Sequence, residues 1–90
     1  MAQLIHPTGM TLEVKPDDGI KFTTEELQEF VGGYICYVRA KKKGHLLVVN
    51  EDGQAIGLDE NETASDLADI NPWWDFIVGN AVYCKVSEVE

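Results

Sequence analysis

The chain has few positive charges, few histidines and no long hydrophobic segment. Seven lysines and arginines stand against 16 aspartates and glutamates, and there are two histidines among 90 residues. No stretch reaches the roughly 18 apolar residues of a membrane span, and the first residues lack the basic start and apolar run of a signal peptide. We therefore expect a soluble cytoplasmic protein that does not bind a membrane.

The negative charge is concentrated in the second half of the chain. Residues 1–43 contain six acidic and six basic side chains, whereas residues 44–90 contain ten acidic side chains and one lysine. Such a surface repels phosphate backbones, which argues against direct nucleic-acid binding. Most of the cations are gathered in one short stretch: Arg39, Lys41, Lys42 and Lys43. This group is either a solvated loop tip that discourages edge-to-edge association or a docking patch for an anionic partner.

Patterns for catalysis, cofactor binding or metal binding are also absent from the sequence. The histidines, His6 and His45, are far apart, and no nucleophile, base and orienting group are arranged around either of them. Cys36 and Cys84 lie in apolar, strand-like runs, which indicates two buried free thiols; a disulfide, a reactive thiol or a metal role is the alternative. We therefore predict that the protein is not an enzyme and has no catalytic residues, no metal and no cofactor.

The first quarter of the chain predicts a hairpin in a single small domain. No repeat, linker or change in composition divides residues 1–90, of which 44% are apolar. Residues 2–6 and 10–15 flank the short connection Pro7–Gly9. Residues 10–15 alternate between apolar and polar side chains, as a half-buried strand does, so we expect the two segments to pair.

The clearest predicted element is a helix that begins at Thr23. Thr23 and Glu26 stand at the N-cap and N3 positions of a capping box. Phe22 and Leu27, on either side of this cap, have the spacing of a hydrophobic staple. Gly32-Gly33 should end the helix, because glycine readily enters the left-handed conformation of a helix stop.

The middle of the chain contains two strand patterns and a turn signal. Residues 34–39 and 46–50 are rich in aromatic and aliphatic side chains, which predicts neighbouring strands joined by the loop 40–45. Asp52-Gly53 between apolar runs is a hairpin signal, so residues 55–58 are expected to return as a short strand.

The last third combines a short acidic helix with one or two strands. Residues 59–70 predict a helix that is capped by Asn61 and ends before Asn71-Pro72. Residues 75–86 alternate well enough for one or two strands, with a turn or bulge at Gly79-Asn80. Both faces of this segment are partly apolar, which is typical of a central strand.

These elements predict an α+β fold, a small antiparallel or mixed sheet of about five to six strands with one clear helix and one short acidic helix. The first helix should pack on one face of the sheet. The predicted core contains Leu4, Leu12, Val14, Leu27, Phe30, Ile35, Leu47, Val49, Ile56, Phe76, Val78 and Val82.

Four pieces of the sequence occur in the same order and at similar spacing in a known family: residues 22–35 (FTTEELQEFVGGYI), 48–58 (VVNEDGQAIGL), 61–64 (NETA) and 75–84 (DFIVGNAVYC). Through this set, which spans about two thirds of the chain, the sequence resembles domain of unknown function 3846, a family of bacteriophages, prophages and bacterial mobile elements. Cys36 departs from the family, which often has an acidic residue there. The resemblance implies a small α+β domain in a phage or mobile-element context, with no established activity.

Four polar residues in these pieces are binding candidates: Asn50, Glu51, Asn61 and Thr63. They bracket the predicted turn and the acidic segment, where they could line a small ligand pocket. The alternative is a local role, because asparagine in particular commonly bonds turn backbone or caps a helix. The cations at positions 39–43 complete the candidate set for a ligand or a partner.

The pair Trp73-Trp74 predicts an interface. Adjacent residues of an extended segment point to opposite faces, so one ring should face the core and the other should face outward. An outward tryptophan is typical of a subunit or partner contact. We therefore predict a homo-oligomer, most simply a dimer, with Trp73 or Trp74 in the interface.

Three functions from different classes compete. The first is a non-enzymatic binding module that blocks or sequesters a host component, either a host protein or a nucleotide signal held by the cationic group. The second is a DNA mimic, whose phosphate-like charges would be Asp59, Glu60, Glu62, Asp66 and Asp69. The third is an enzyme, which would need a pocket with carboxylates of unusual pKa. We favour the first hypothesis and rank the DNA mimic second.

Overall fold

A computed structural model describes residues 2–71, 73 and 75–89. The strands are β1 (Ala2–Ile5), β2 (Thr11–Val14), β3 (Ile35–Arg39), β4 (His45–Asn50) and β5 (Ala81–Lys85). Helix α1 is Thr24–Val31, helix α2 is Glu62–Leu67, and the 3₁₀ turn Val86–Glu88 follows β5. The five strands form one sheet in which every neighbouring pair is antiparallel. The α+β prediction is therefore confirmed.

The order of strands across the sheet is β2-β1-β5-β4-β3, so the last strand of the chain lies at the centre. Val82 of β5 is opposite Leu4 of β1 on one side and Val48 of β4 on the other. The two hairpins, β1 with β2 and β3 with β4, are thereby joined through β5. As a result β4 is paired along both of its edges, and β2 and β3 are the edge strands.

Helix α1 begins as its sequence predicts. The Thr23 hydroxyl accepts the amide of Glu26 at 3.1 Å, and the Glu26 carboxylate accepts the amide of Thr23 at 2.9 Å, which completes the capping box. Gly32 ends the helix with φ +80°, a conformation in which a side chain would be strained. Helix α1 packs on β3, β4 and β5.

Each face of the sheet carries its own core. On the face that α1 covers, here the α1 face, the core consists of large side chains: Phe22, Leu27, Leu46, Val48, Val82, Cys84, Val89 and the smaller Ala2. On the opposite face, here the α2 face, helix α2 adds alanines to a core that consists of Ile5, Ala40, Leu47, Val49, Ala64, Ala68, Ile77 and Ala81.

The predicted hairpin at Asp52-Gly53 and the returning strand 55–58 are wrong. The chain instead makes successive turns, in which the amide of Ile56 donates to Asp52 O at 3.0 Å and the amide of Leu58 donates to Gly53 O at 3.0 Å. A returning strand would need a free edge of β4, and both edges are already paired.

The second helix and the last strand are shorter than predicted. Asn61 caps α2, but the helix occupies only Glu62–Leu67 of the predicted 59–70. The strand in the predicted range 75–86 is β5, Ala81–Lys85, and the preceding residues cross the α2 face with a single bridge, Val78 to Glu60.

Most of the predicted core is found inside the molecule. Leu27, Leu47, Val49, Val78 and Val82 are buried. A second group is half-buried against the α1 face core: Leu4, Val14, Phe30 and Ile35.

Three predicted core residues are exposed, namely Leu12 at 53%, Ile56 at 60% and Phe76 at 42%. Leu12 lies on edge strand β2, away from the strands on which α1 packs. Ile56 lies in the turns after β4, and Phe76 lies in the segment before β5. Alternation along a strand shows which face a side chain takes, but not how far the covering element extends.

The two thiols have different surroundings. Both Cys36 and Cys84 are free, and Cys84 is buried on the α1 face as predicted. The prediction that Cys36 is buried is wrong, because it lies on edge strand β3 and is exposed.

Candidate functional site

Asn50, the first of the four polar candidates, is buried at the end of β4. Its Nδ2 donates to Val31 O at 3.2 Å, and its Oδ1 accepts the amide of Asp52 at 2.8 Å. Gly33 makes this arrangement possible, because a Cβ at that position would lie 2.9 Å from Asn50 Nδ2. The side chain therefore satisfies the last carbonyl of α1 and fixes the turn after β4.

Asn61 has a still more complete set of partners. It is fully buried, its Nδ2 donates to Ile5 O at 2.9 Å and to Gly79 O at 2.8 Å, and its Oδ1 accepts the amide of Ala64 at 3.1 Å. Both amide hydrogens and the carbonyl oxygen are thus used within the fold. Asn61 joins β1, α2 and the segment before β5, and this network leaves no donor for a ligand.

The other two polar candidates, Glu51 and Thr63, are exposed and belong to different parts of the surface. Glu51 follows β4, and its amide donates to Tyr34 O at 2.8 Å. Thr63 lies in the first turn of α2. The structure thus does not gather the four polar candidates into one site.

The cationic stretch forms an exposed loop with a fixed base. Ala40 bridges to Ala68, and the amide of Lys41 donates to Leu67 O at 2.9 Å, so the end of α2 holds the start of the loop. Arg39 and the three lysines surround a depression of about 340 Å³ that Asp69 also lines. One carboxylate therefore lies among the four cations.

A groove lies beside edge strand β3 on the α2 face. This β3 groove has a volume of about 300 Å³ and is lined by Cys36, Val38, Val49, Glu51, Phe76 and Val78 among others. Cys36, Val38 and Val49 come from the sheet, whereas Phe76 comes from the segment before β5. That segment is held in place because the amide of Ile77 donates to Ser65 Oγ at 2.8 Å.

A second depression, here the acidic depression, adjoins the β3 groove. It has a volume of about 380 Å³ and is lined by Glu60, Glu62 and Asp66, with Lys41 at its margin. Asp75 and Phe76 line both depressions, so the two lie next to each other at these residues. The arrangement places an apolar surface and a group of carboxylates side by side.

The five acidic residues of the DNA-mimic hypothesis do not form one row. Glu60, Glu62 and Asp66 line the acidic depression, but Asp59 lies with His6 in a different depression and Asp69 lies among the lysines. A phosphate-like array requires regular spacing along one surface. The structure divides these charges among three surfaces.

Trp73 is 87% exposed, which is the outward position that the sequence predicts for one ring of the pair. Its amide donates to Asn71 Oδ1 at 3.0 Å. The prediction for Trp74 falls outside the described residues. Tyr34 and Tyr37, on or beside edge strand β3, add two more exposed aromatic rings.

The shifted pKa values have structural causes. Burial raises the pKa of the Cys84 thiol to about 12, and the nearby charge of Glu88 acts in the same direction. Backbone amides of Ile20 and Lys21 lower the pKa of Asp18. Within residues 2–71, 73 and 75–89, no group of three or more histidine, cysteine, aspartate or glutamate side chains is placed to hold a metal ion.

The family model described as Domain of unknown function (DUF3846) matches residues 3–90. The chain belongs to this family. No curated protein and no solved structure matches it. In the part of this DUF3846 member that the structure describes, no helix is long and apolar enough to cross a membrane.

The sequence predicts some of the residues that line the two depressions, but not the depressions themselves. Asn50 and Glu51 line the β3 groove, and three of the predicted acidic charges, Glu60, Glu62 and Asp66, line its neighbour. The sequence places Cys36 and Phe76 in the interior and gives Asp75 no functional role. The usable signal was Gly79 before β5, because a left-handed glycine there allows the preceding segment to leave the sheet and cross the α2 face. Edge strand β3 and Phe76 line the same groove only because the tertiary structure brings them together.

Proposed function

We propose that this DUF3846 member is a non-enzymatic binding module of a phage or mobile element, and that it binds a host protein in the bacterial cytoplasm and interferes with it. The observation that carries the proposal is the β3 groove, a largely apolar depression beside an edge strand, which lies next to a depression lined by carboxylates. Exposed side chains of this kind are typical of recognition surfaces.

The aromatic residues support a protein as the partner. Trp73 is 87% exposed, Tyr34 68% and Phe76 42%. Tryptophan and tyrosine contribute more than their share of binding energy at protein interfaces, because they combine a large apolar area with a polar group.

The charge arrangement supports this proposal over DNA mimicry. The five acidic residues of that hypothesis line three different depressions, and the acidic depression lies next to a largely apolar groove that a phosphate array would lack. The nucleotide variant depends on the cationic loop, where Asp69 lies among the cations and opposes a phosphate.

Trp73 supports one further proposal, the association of two copies of the chain. A ring with this exposure costs free energy in water, and covering it with a second copy would remove that cost. Light scattering should return about twice the chain mass of 10.0 kDa and should fall to a single mass in Trp73→Ser. A single mass for the unchanged chain at all concentrations would contradict dimer formation.

Affinity capture from host lysate tests the binding proposal. The tagged full chain should enrich a specific host protein, and Phe76→Ser should lose it because the groove loses its exposed ring. Met10→Ser is the matched control, since Met10 is exposed at the far side of the sheet, beside β2. The proposal would be contradicted if the native chain captured no protein in excess of what a heat-denatured chain captures.

A further inference from the structure

We infer that the β3 groove binds an extended, positively charged segment of the partner, which adds to edge strand β3 as a sixth strand. This inference rests on the proposed function, because it specifies the chemistry of the partner. It follows from three observations: the free edge of β3, the apolar wall beside it, and the carboxylates that line the groove and the depression next to it.

The outer edge of β3 is open for pairing. The amide of Glu51 donates to Tyr34 O and the amide of Ala40 donates to His45 O, so the even-numbered residues of β3 bond to β4. In an antiparallel pair these roles alternate, so the amide and carbonyl groups of Ile35 and Tyr37 point away from β4. Among the described residues, no backbone group of another element bonds to them.

The open stretch of β3 has defined limits. At one end Arg39 O accepts the amide of Asp69, and the bridge from Ala40 to Ala68 closes the edge. At the other end the strand begins at Ile35, directly after Tyr34. About four residues remain, roughly 13 Å at 3.3 Å per residue, which suits a short added strand.

Alternate side chains of such a strand would meet the apolar wall of the groove. Cys36 and Val38 lie on the α2 face of β3, and the ring of Phe76 stands across the groove from the sheet. Side chains on one face of a sheet contact their cross-strand neighbours, so an apolar residue of the partner would lie against Cys36 or Val38. The ring of Phe76 would then lose its exposure to water.

The charges around the groove select a cationic partner. Glu51 and Asp75 line the β3 groove, and the neighbouring acidic depression adds Glu60, Glu62 and Asp66. Within the described lining of both depressions, Lys41 is the one cation. Lysine or arginine side chains that alternate with apolar ones would satisfy both parts of the surface.

The same charges disfavour a second copy of the chain at this edge. A copy carries a net charge of −9, and pairing two β3 strands would place two sets of these carboxylates close together. Like charges across an interface oppose association. The occupant is therefore a segment of a different protein with the opposite charge.

Two synthetic peptides test the inference on the full chain. One alternates lysine with valine, and the other has glutamate in place of lysine. The first readout is the rate at which Cys36 reacts with an uncharged disulfide reagent, since the exposed Cys36 lines the groove and Cys84 is buried. The lysine peptide should slow this reaction about tenfold at a concentration about ten times its Kd, and the glutamate peptide should leave it unchanged.

Charge variants test whether the acidic depression binds the lysine side chains of the peptide. The double variant Glu62→Gln with Asp66→Asn should weaken binding of the lysine peptide about fivefold, as expected for the loss of two exposed ion pairs. The matched control is Glu25→Gln with Glu29→Gln, which removes two exposed carboxylates at the same spacing from α1, on the other face of the sheet. The control should bind the peptide as the unchanged chain does.

A backbone variant identifies strand addition. Tyr37→Pro removes an outward amide without breaking a bond to β4, since proline is tolerated where an edge amide faces solvent. Tyr37→Pro should weaken binding of the lysine peptide about fivefold, because one hydrogen bond to the peptide is lost. Tyr37→Thr keeps the amide and should bind the peptide as the unchanged chain does. Unreactive Cys84 in both variants shows that they are folded.

Several results would overturn the inference: equal binding of both peptides, binding that leaves the Cys36 rate unchanged, equal affinity of Tyr37→Pro and Tyr37→Thr, or a dimer that protects Cys36. Failure of the proposed function gives a different result. If the lysine peptide binds but lysate capture enriches nothing, the proposed function is wrong and the inferred chemistry of the groove stands. If capture enriches a host protein but the lysine peptide does not bind, the proposed function stands and the inferred chemistry of the groove is wrong.

Discussion

Helix α1 contributes large side chains to the core on its face of the sheet, whereas helix α2 contributes alanines to a core that Ile77 of the segment before β5 completes. On the α1 face, the rings of Phe22 and Phe30 meet edge to face at 6.0 Å, above the buried Leu27. On the α2 face, Ala64 and Ala68 bring the short helix close to the sheet. Large side chains fill the space between helix α1 and the sheet, whereas the small side chains of α2 contact the sheet only locally.

This difference explains why the two faces leave different surfaces. Helix α1 packs on three strands, from β5 to edge strand β3. Helix α2 has six residues, and the covering of its face is completed by the segment before β5, which leaves the β3 groove between that segment and β3. The α1 face is therefore covered by one helix across three strands, and the α2 face supplies the candidate binding surface.

The largest expected effect is loss of the α1 face core in Phe22→Ala. Phe22 is fully buried against α1, so the substitution should reduce the free energy of unfolding by about 3–5 kcal/mol. Chemical denaturation measures this change. Leu12→Ala, at an exposed position on β2, should cost less than about 1 kcal/mol. Equal losses in the two variants would contradict the description of the α1 face.

Asn61→Ala should have the largest effect among the polar residues, because it removes three hydrogen bonds at once. Two buried carbonyls, of Ile5 and Gly79, would lose their donor, and α2 would lose its cap. We expect a loss of about 2–4 kcal/mol. Asn50→Ala, at the end of β4, removes two bonds and should cost less. The reverse order in denaturation would show that the α2 face depends less on its amide than we infer.

Gly79→Ala tests the close contact at the corner of the α2 face. The residue has φ +72°, and a Cβ there would lie 2.6 Å from Leu58 Cδ1. Strain and overlap together should cost about 2–3 kcal/mol. Gly57→Ala is the control, because Gly57 has φ +76° and nothing within 4 Å of the added Cβ. A loss no larger than that of the control would mean that Leu58 moves freely.

The smallest effect concerns the capping box of α1. Backbone amides of Thr23 and Asp17 lower the pKa of Glu26, so its carboxylate stabilises the fold above the ordinary pKa. This contribution is lost as the pH falls through the lowered value. The unfolding temperatures of Glu26→Gln and the unchanged chain should differ at neutral pH and converge as the pH falls through the lowered pKa of Glu26. A constant difference across this range would show that the charge of Glu26 has no role.

The elements with local signals could be predicted from the sequence. The capping box at Thr23, the cap at Asn61 and the helix stop at Gly32 each depend on residues that are close in the chain. Their hydrogen bonds form within one turn, so the pattern contains all that is needed.

The features that depend on strand order could not be predicted. Asp52-Gly53 has the signal of a hairpin, but β5 from the end of the chain already occupies the edge that a returning strand would need. The groove could not be predicted for the same reason, because Cys36 and Phe76 meet only after β5 has placed the preceding segment on the α2 face. Such contacts are set by pairing between distant segments rather than by local propensity.

The reactivity of the two thiols in the native chain tests the central claim, that one face of the sheet is closed and the other is open at the groove. The account predicts that Cys36 reacts rapidly with an uncharged disulfide reagent, whereas Cys84 reacts only on unfolding, because it is buried and its pKa is raised to about 12. Mass spectrometry of the modified chain should therefore show one label, on Cys36. Rapid labelling of both thiols, or of neither, would contradict the account.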